Sequence, residues 1–297
     1  MRVEIDSRSG FCGGVIRAIE TAEEHLAEGG KIYSLGAIVH NEEELSRLET
    51  KGLVTIDKED LDQISPRSGE PLLIRAHGEP PAVYGKLNRL GFTVIDCTCP
   101  VVLKLQKDIS AAYARVKSPP RPGEVLIFGK PGHAEVMGLL GQVEGDAFVV
   151  EYMNQLDLLF ETGALKTDRP LEVFSQTTMA KDEYRQLCAA LAARFSETGL
   201  LKVHDTICKQ LAARYDALAS FAASHDIIIF VSGKSSSNGK VLCELCRSRN
   251  IRTCHIGAVE DIHREWFRPD DNVGVCGATS TPLWLLEEVA LAIQNLQ

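Results

Sequence analysis

The chain runs to 297 residues, 44% hydrophobic and 25% charged, which is enough to bury two or three domain-sized cores. Its formal net charge of −9 offers no general basic field for nucleic acid, and no apolar run reaches the roughly 18–20 residues of a membrane span. Nine cysteines are an odd count, and the opening MRVEIDSRSG lacks the basic and apolar regions of a secretory leader. Reduced thiols in a cytoplasmic setting are therefore expected, not a disulfide framework.

Strand-like runs alternate with helical patterns from end to end. The first, RVEIDSRSGFC, ends at Cys12, whose flanking glycines leave room for close approach to the backbone. IYSLGAIV leads through His40 into NEEELSRLETKG, and LLIRA leads through His77 into PPAVYGKLNRLG. FTVIDC reaches Cys99, and Pro100 suits the first turn of a helix. Cys99 is then expected at the N-cap, where the positive end of the helix favours a thiolate. Lys117 to Gly123 reads as an exposed connector before VLIFG, which leads through His133 and Glu135 into AEVMGLLGQ. A second polar connector, Glu161 to Pro170, precedes LEVFS and the pair Thr177 and Thr178. KVHDTIC ends at Cys208 and is followed by the helical run KQLAARYDALASFAA. IIIFV leads through Ser236, Ser237 and Asn238 into GKVLCELCRSRN, and VGVCG leads through Thr279 and Ser280 into TPLWLLEEVALAIQNL.

The strand runs are rich in Val, Ile and Leu without strict alternation, as expected for strands buried on both faces. Alternating β and α elements indicate a parallel α/β fold with right-handed crossovers. One cysteine followed by two polar loops recurs three times, which suggests three pseudo-threefold-related lobes with small parallel sheets around one central site. The lobes are expected at residues 14–97, 98–204, and 1–13 with 205–297, the last combining the N-terminal strand with the C-terminal helix. Ligand sites in such sheets form where strands end and helices begin, and every residue singled out lies at such a junction.

Three thiols converging on one site are able to hold a metal cluster. They are too few for a closed structural zinc site and leave one iron of a 4Fe–4S cluster without a protein ligand. An open iron gives substrate a place to coordinate. Cys243 and Cys246 form a CxxC, but inside a helical pattern and with no second CxxC, so core packing is expected. Cys97 is expected inside its strand, and Cys188, Cys254 and Cys276 in the core. His40, His77, Ser236, Ser237, Asn238 and Ser280 offer imidazole, hydroxyl and amide donors at helix starts, where a phosphate or diphosphate binds readily. Glu135 is the one carboxylate close to the end of these loops and is suited to proton delivery, with Thr177 placed to orient the group that receives it.

The motifs GFCGGVIRAIE, VHN, RAHGEP, DCTCPVV, GHAEVMGLLGQ, SQTTM, DTIC, SSSN and TSTP, in this order, span essentially the whole chain. In them the sequence resembles the 4-hydroxy-3-methylbut-2-enyl diphosphate reductase family, the last enzymes of the methylerythritol phosphate route to isoprenoids. The resemblance implies three α/β lobes around one 4Fe–4S cluster per chain, held by Cys12, Cys99 and Cys208. It implies that His40, His77, His133, Ser236, Ser237, Asn238 and Ser280 grip the diphosphate, that Glu135 delivers a proton, and that Thr177 holds the substrate hydroxyl. The implied reaction is a two-electron reductive dehydroxylation giving isopentenyl or dimethylallyl diphosphate. Its electrons come from an external donor such as ferredoxin or flavodoxin, and neither nucleic acid nor membrane is a partner. Two departures stand out. The turn at Ser280 reads CGATSTP where an AGAS-type turn is usual, which raises Thr279 and Thr281 as substitutes. The helix after Cys208 reads KQLAARYDAL where an Asn-Arg-Gln-like run is common. The competing readings are a quinolinate synthase-like or aconitase-like iron–sulfur (de)hydratase, and a non-enzymatic iron–sulfur sensor. Both (de)hydratases handle carboxylates, which call for Arg or Lys at the pocket loops, and these loops hold only Lys130, Lys181 and Lys234.

Overall fold

The strands and helices form three consecutive sets along the chain, each built on a four-stranded sheet. The computed structural model describes residues 1–27, 29–64, 66, 69–118, 120–195 and 199–296. The chain opens with β1 (Arg2–Ile5) and α1 (Gly13–Ala27). The first set is β2 (Ile32–Leu35), α2 (Glu42–Thr50), β3 (Leu53–Ile56), β4 (Pro71–Ile74), α3 (Pro81–Leu90) and β5 (Thr93–Asp96). After α4 (Pro100–Val116) come β6 (Glu124–Phe128), α5 (Ala134–Gly141), β7 (Phe148–Val150), α6 (Met153–Glu161), β8 (Leu171–Ser175), α7 (Lys181–Arg194) and β9 (Leu201–Val203). After α8 (Lys209–Ala223) come β10 (Ile227–Val231), α9 (Ser237–Arg249), β11 (Thr253–Ile256), β12 (Asn272–Gly277) and α10 (Leu283–Gln294).

The sheets run β3-β2-β4-β5, β7-β6-β8-β9 and β11-β10-β12-β1. Each places its second strand outside its first and its third and fourth on the other side. In the last sheet the fourth place is filled by β1 from the start of the chain, which lies parallel to β12 from Arg2 beside Asn272 to Ile5 beside Val275. The other pairings are parallel too, for example Ile227 beside Val273 and Leu126 beside Val173. The expected α/β class with three small parallel sheets is what the chain forms.

The inner strands β2, β8 and β10 are buried along their whole length, as their continuous apolar composition requires. The second strands β3, β7 and β11 were not expected as separate elements; they are only three or four residues long and half-exposed in part. The run IYSLGAIV also divides. Its strand stops at Leu35, and Gly36 turns the chain at φ 71°, where a side chain would meet the Arg75 guanidinium 2.8 Å away. Cys97 lies just beyond β5, not inside it, yet its N–H still donates to the Ile74 carbonyl at 2.9 Å. Pro81 and Pro100 open α3 and α4, and Gly91, at φ 90°, closes α3 in the left-handed conformation.

By contact the chain divides into two compact units. One holds Met1–Ala76, Ile95–Cys97 and Gln210–Gln297; the other holds His77–Val94 and Thr98–Lys209. In the first unit, one core gathers Ile32, Leu48, Leu53 and Leu73 beneath the Ala18, Ala22 and Leu26 face of α1. A second places Leu285, Leu286, Val289 and Ile293 of α10 on Ile229, Val273 and Val275. On the other face of that sheet, Cys243 and Cys246 of α9 pack with Phe230 and Cys276, as the helical spacing of the CxxC predicts. The second unit is built the same way, with Leu105, Ile109 and Ala112 of α4 on Val125, Ile127 and Phe174, and Tyr184, Leu187 and Leu191 of α7 on Leu126, Phe128 and Val173.

Phe230 is among the largest fully buried side chains. Phe230→Ala is expected to cost roughly 3–5 kcal/mol of unfolding free energy, measured by denaturant titration. A loss below about 1 kcal/mol would contradict a close-packed inner strand.

Candidate functional site

The strand order puts the chemistry on neighbouring strands. First strands β2, β6 and β10 run out to His40, to His133 with Glu135, and to Ser236 with Asn238. Third strands β4, β8 and β12 run out to His77, Thr177 and Ser280. Fourth strands β5, β9 and β1 run out to Cys99, Cys208 and Cys12. First, third and fourth strands are contiguous in each sheet, so each lobe presents two polar loops and a thiol from adjacent carboxyl ends.

In the second unit, Glu135 is the buried centre. It sits in the first turn of α5, whose N-cap is His133; the His133 ring nitrogen Nδ1 accepts from the Glu135 N–H at 3.2 Å. The carboxylate is 1% exposed. Thr177 meets both of its oxygens: the Thr177 N–H donates to Oε1 and the hydroxyl to Oε2, each at 2.7 Å. Removal from water is the largest effect on the carboxyl and raises it to about 7, against the pull of the two Thr177 hydrogen bonds. The rings of His77 and His133 meet edge to face with centroids 5.3 Å apart. The carbonyl of Thr177 accepts from the N–H of Cys208 at 2.9 Å, so the thiol-bearing loop is anchored to the loop that holds Glu135.

Gln176 was not singled out from the sequence, although it stands inside SQTTM. Its side-chain carbonyl accepts from the Lys130 N–H at 3.0 Å and its amide donates to Thr178 at 2.9 Å, which joins the His133 loop to the Thr177 loop.

In the first unit, Ser236 caps α9, accepting from the Gly239 N–H at 3.0 Å, and its hydroxyl lies 3.1 Å from that of Ser280. Asn238 donates through Nδ2 to the Thr279 hydroxyl at 2.8 Å. Thr281 is spent on the fold, donating to the Val231 carbonyl at 2.7 Å. Ser237 opens the same helix, but its side chain lies outside the described residues. His40 is half-buried beside Asn41, whose Oδ1 caps α2 by accepting from the Glu44 N–H at 2.9 Å. This loop lies tight against the next. A Cβ on Gly233 would stand 2.4 Å from the His40 carbonyl oxygen, so glycine is required there. The Cys12 loop is held by Arg214 of α8, which donates to the Gly10 carbonyl at 2.7 Å and the Phe11 carbonyl at 3.3 Å. Neither Gly233 nor Arg214 carries a sequence signal for these tasks, because both act on backbone distant in the chain.

The thiols separate by position. Cys12, Cys99 and Cys208 are half-buried and each stands immediately before a helix. Cys99 is the N-cap of α4, as expected, with its carbonyl accepting from Leu103 at 2.9 Å, and the Cys12 carbonyl accepts from Ile16 at 2.9 Å. Cys97, Cys243 and Cys276 are buried, and burial pushes their thiols up, toward the neutral form. Cys188 in α7 and Cys254 in β11 are half-buried against the cores, and burial raises their thiols too. Lys130, Lys181 and Lys234 are exposed.

The chain matches the model of the LytB protein family over residues 3–294. It is 46% identical over 296 residues to the 4-hydroxy-3-methylbut-2-enyl diphosphate reductase of Parabacteroides distasonis, with 100% of this chain and 98% of that protein covered. The enzyme of the same name from Porphyromonas gingivalis is 45% identical over 296 residues, with 99% of each covered. Among solved structures, the E-1-hydroxy-2-methyl-but-2-enyl-4-diphosphate reductase of Plasmodium falciparum matches with a TM-score of 0.83 at 27% identity, covering 97% of this chain and 86% of that one. A second, (E)-4-hydroxy-3-methyl-but-2-enyl diphosphate reductase, described as the terminal enzyme of the non-mevalonate pathway, matches with a TM-score of 0.71 at 31% identity over 99% and 100% of the two chains.

The Glu135 carboxyl gives a pH signature. Its pKa in the fold, about 7, lies above its ordinary value of 4.5. Between those values the unfolded chain has released the proton while the folded chain keeps it, so stability falls as pH rises through this window. Relative to Glu135→Gln, the wild-type chain is expected to lose on the order of 3 kcal/mol of unfolding free energy between pH 4.5 and pH 8. Parallel pH profiles for the two proteins would mean that Glu135 is ionised in the fold.

Proposed function

The chain belongs to the LytB protein family, and from that membership we infer that it reduces 4-hydroxy-3-methylbut-2-enyl diphosphate in the terminal reaction of the non-mevalonate route to isoprenoid precursors. It is an iron–sulfur oxidoreductase. The (de)hydratase and sensor readings have no support among these relatives. The observation that carries the reading is the recurrence of a cysteine at a helix start after the fourth strand of every sheet.

The proposed cofactor is one 4Fe–4S cluster per chain, ligated by Cys12, Cys99 and Cys208. Their local setting fits it: three half-buried thiols at helix starts, whereas burial raises the thiols of Cys97, Cys188, Cys243, Cys254 and Cys276. When bound, the cluster supplies electrons and a Lewis-acidic iron that no cysteine ligates. We keep the division into lobes at 14–97, 98–204, and 1–13 with 205–297, since each range holds one complete sheet. The reducing equivalents come from an external donor of the ferredoxin or flavodoxin kind. Among the described residues no helix is long and apolar enough to cross a membrane. A cytoplasmic location is the proposal that suits free thiols.

The reaction consumes two electrons and two protons. The C–O bond at the allylic carbon breaks, the hydroxyl leaves as water with one proton, and the other proton closes the allylic carbanion to isopentenyl or dimethylallyl diphosphate. His40, His77, His133, Ser236, Ser237, Asn238 and Ser280 are the proposed donors to the diphosphate. All but His77 and Ser280 lie at or within one turn of a helix start, and Ser280 stands just before α10. Such donors bind an anion without a lysine or arginine.

Glu135 is the proposed proton source for the departing hydroxyl, and Thr177 its delivery arm. With a pKa of about 7 the carboxyl is roughly half protonated at neutral pH, where a general acid works best. The Thr177 N–H fixes Oε1 as an acceptor, so the proton resides on Oε2. Protonated Oε2 donates to the Thr177 hydroxyl oxygen, which frees the hydroxyl proton for the substrate oxygen. Transfer along this pair leaves Glu135 as carboxylate, with its charge met by the two Thr177 donors.

Two substitutions test the parts. Cys99→Ser is expected to lose the broad visible absorbance and the iron of the anaerobically purified protein, while Cys97→Ser keeps both; iron retained in the Cys99 variant would overturn the ligand set. Glu135→Gln is expected to keep iron and diphosphate affinity while kcat falls about 10²–10⁴-fold, the usual contribution of a general acid. A near wild-type kcat in an iron-replete Glu135→Gln enzyme would remove the proton-delivery role.

A further inference from the structure

Asn238 presents a chemical difficulty for anion binding. Its Nδ2 commits one of its two N–H groups to the Thr279 hydroxyl at 2.8 Å. Its Oδ1 is buried and has no hydrogen-bond partner among the described residues. A carboxamide oxygen repels phosphate oxygens, and a buried acceptor left unmet is costly. One feature removes the conflict. A threonine hydroxyl both accepts and donates. If the Asn238 amide turns over, Oδ1 accepts from the Thr279 O–H and Nδ2 faces the ligand as a donor.

We propose that Thr279 is a positioning residue that fixes the Asn238 amide and, by exchanging acceptor for donor, lets it present its NH₂ to the diphosphate. The proposal rests on the reading of Asn238 as a diphosphate ligand. The surroundings select Thr279 for this task over its neighbours. Ser280 is paired with Ser236 at 3.1 Å, and Thr281 holds the Val231 carbonyl at 2.7 Å. Of these three hydroxyls, that of Thr279 is the one hydrogen-bonded to the Asn238 side chain. The same residue accepts from the Cys12 N–H through its backbone carbonyl at 3.2 Å. One residue therefore joins a proposed cluster ligand to a proposed diphosphate ligand, by its main chain on one side and its side chain on the other.

This division makes the test clean. Thr279→Val removes the hydroxyl, keeps the β-branched shape, and leaves the carbonyl that holds Cys12. Inorganic diphosphate is titrated calorimetrically into anaerobically prepared holoenzyme of the wild type, Thr279→Val, Thr279→Ala, Thr279→Ser and Asn238→Ala. Thr279→Val and Thr279→Ala are each expected to bind about three- to tenfold more weakly, the span of one neutral hydrogen bond. Thr279→Ser is expected to stay within about twofold of wild type for the same reason, since it keeps the hydroxyl. Iron per chain stays unchanged, and steady-state kinetics show a raised KM with little change in kcat. Wild-type affinity in Thr279→Val, with Asn238→Ala weakened, overturns the role of Thr279 and leaves that of Asn238. Wild-type affinity in Asn238→Ala overturns the underlying reading of Asn238. A loss in Thr279→Ser as large as in Thr279→Val assigns the effect to the methyl group and rejects the hydroxyl exchange.

Discussion

Parallel pairing within each sheet is the constraint from which the rest of the molecule follows. A parallel strand has to return across the sheet through a crossover, so all carboxyl ends of a sheet emerge at one edge. In this chain the loops that bear Cys12, Cys99, Cys208, His40, His77, His133 and Glu135 leave from such ends. The strand order then decides which loops are neighbours. Placing the second strand outermost leaves the first, third and fourth side by side, so the short second strands contribute none of the reactive residues. The third sheet obeys the same rule only by borrowing β1, which explains why Cys12 stands almost at the start of the chain and yet occupies the same place as Cys99 and Cys208.

Within that frame, chemistry is set by how the helix starts are capped. His133, Ser236 and Asn41 each cap a helix through a side-chain atom, which holds these polar side chains in fixed directions before any ligand arrives. In a chain of net charge −9, the donors proposed for the diphosphate would act through orientation, not through a surplus of cations. Glu135 shows the same economy in the opposite sense. Its burial costs the charged state, and two donors from Thr177 recover only part of that cost, so the carboxyl holds its proton near neutrality. A more exposed glutamate would ionise at its ordinary value and have no proton to give.

Much of this was legible in the sequence, because inner strands of parallel sheets and helix N-termini leave strong local marks. The inner runs IIIFV and LEVFS, the Pro100 start after Cys99, and the helical spacing of Cys243 and Cys246 all carried their meaning in a few residues. The second strands did not, because LVTI, FVV and TCHI are too short to show a period and are only partly buried. Cys97 was expected inside its strand, yet the ladder reaches it through a single N–H beyond the last strand residue. The second anchoring layer was invisible for a different reason. Gln176, Arg214 and Gly233 act through contacts to chain segments far away in sequence, and only the folded backbone brings those partners to them.

The central claim is that this chain couples electrons to removal of an allylic hydroxyl at an iron–sulfur site. The most direct measurement is turnover by anaerobically purified wild-type protein, with iron and sulfide analysed on the same sample. 4-Hydroxy-3-methylbut-2-enyl diphosphate is supplied with a reduced one-electron donor, and the products are identified. The account predicts equal iron and sulfide, donor oxidation only when substrate is present, two electrons consumed per molecule, and isopentenyl and dimethylallyl diphosphate as products. Iron-replete protein that leaves the diphosphate unchanged, or that turns over a hydroxy acid without consuming electrons, would contradict it.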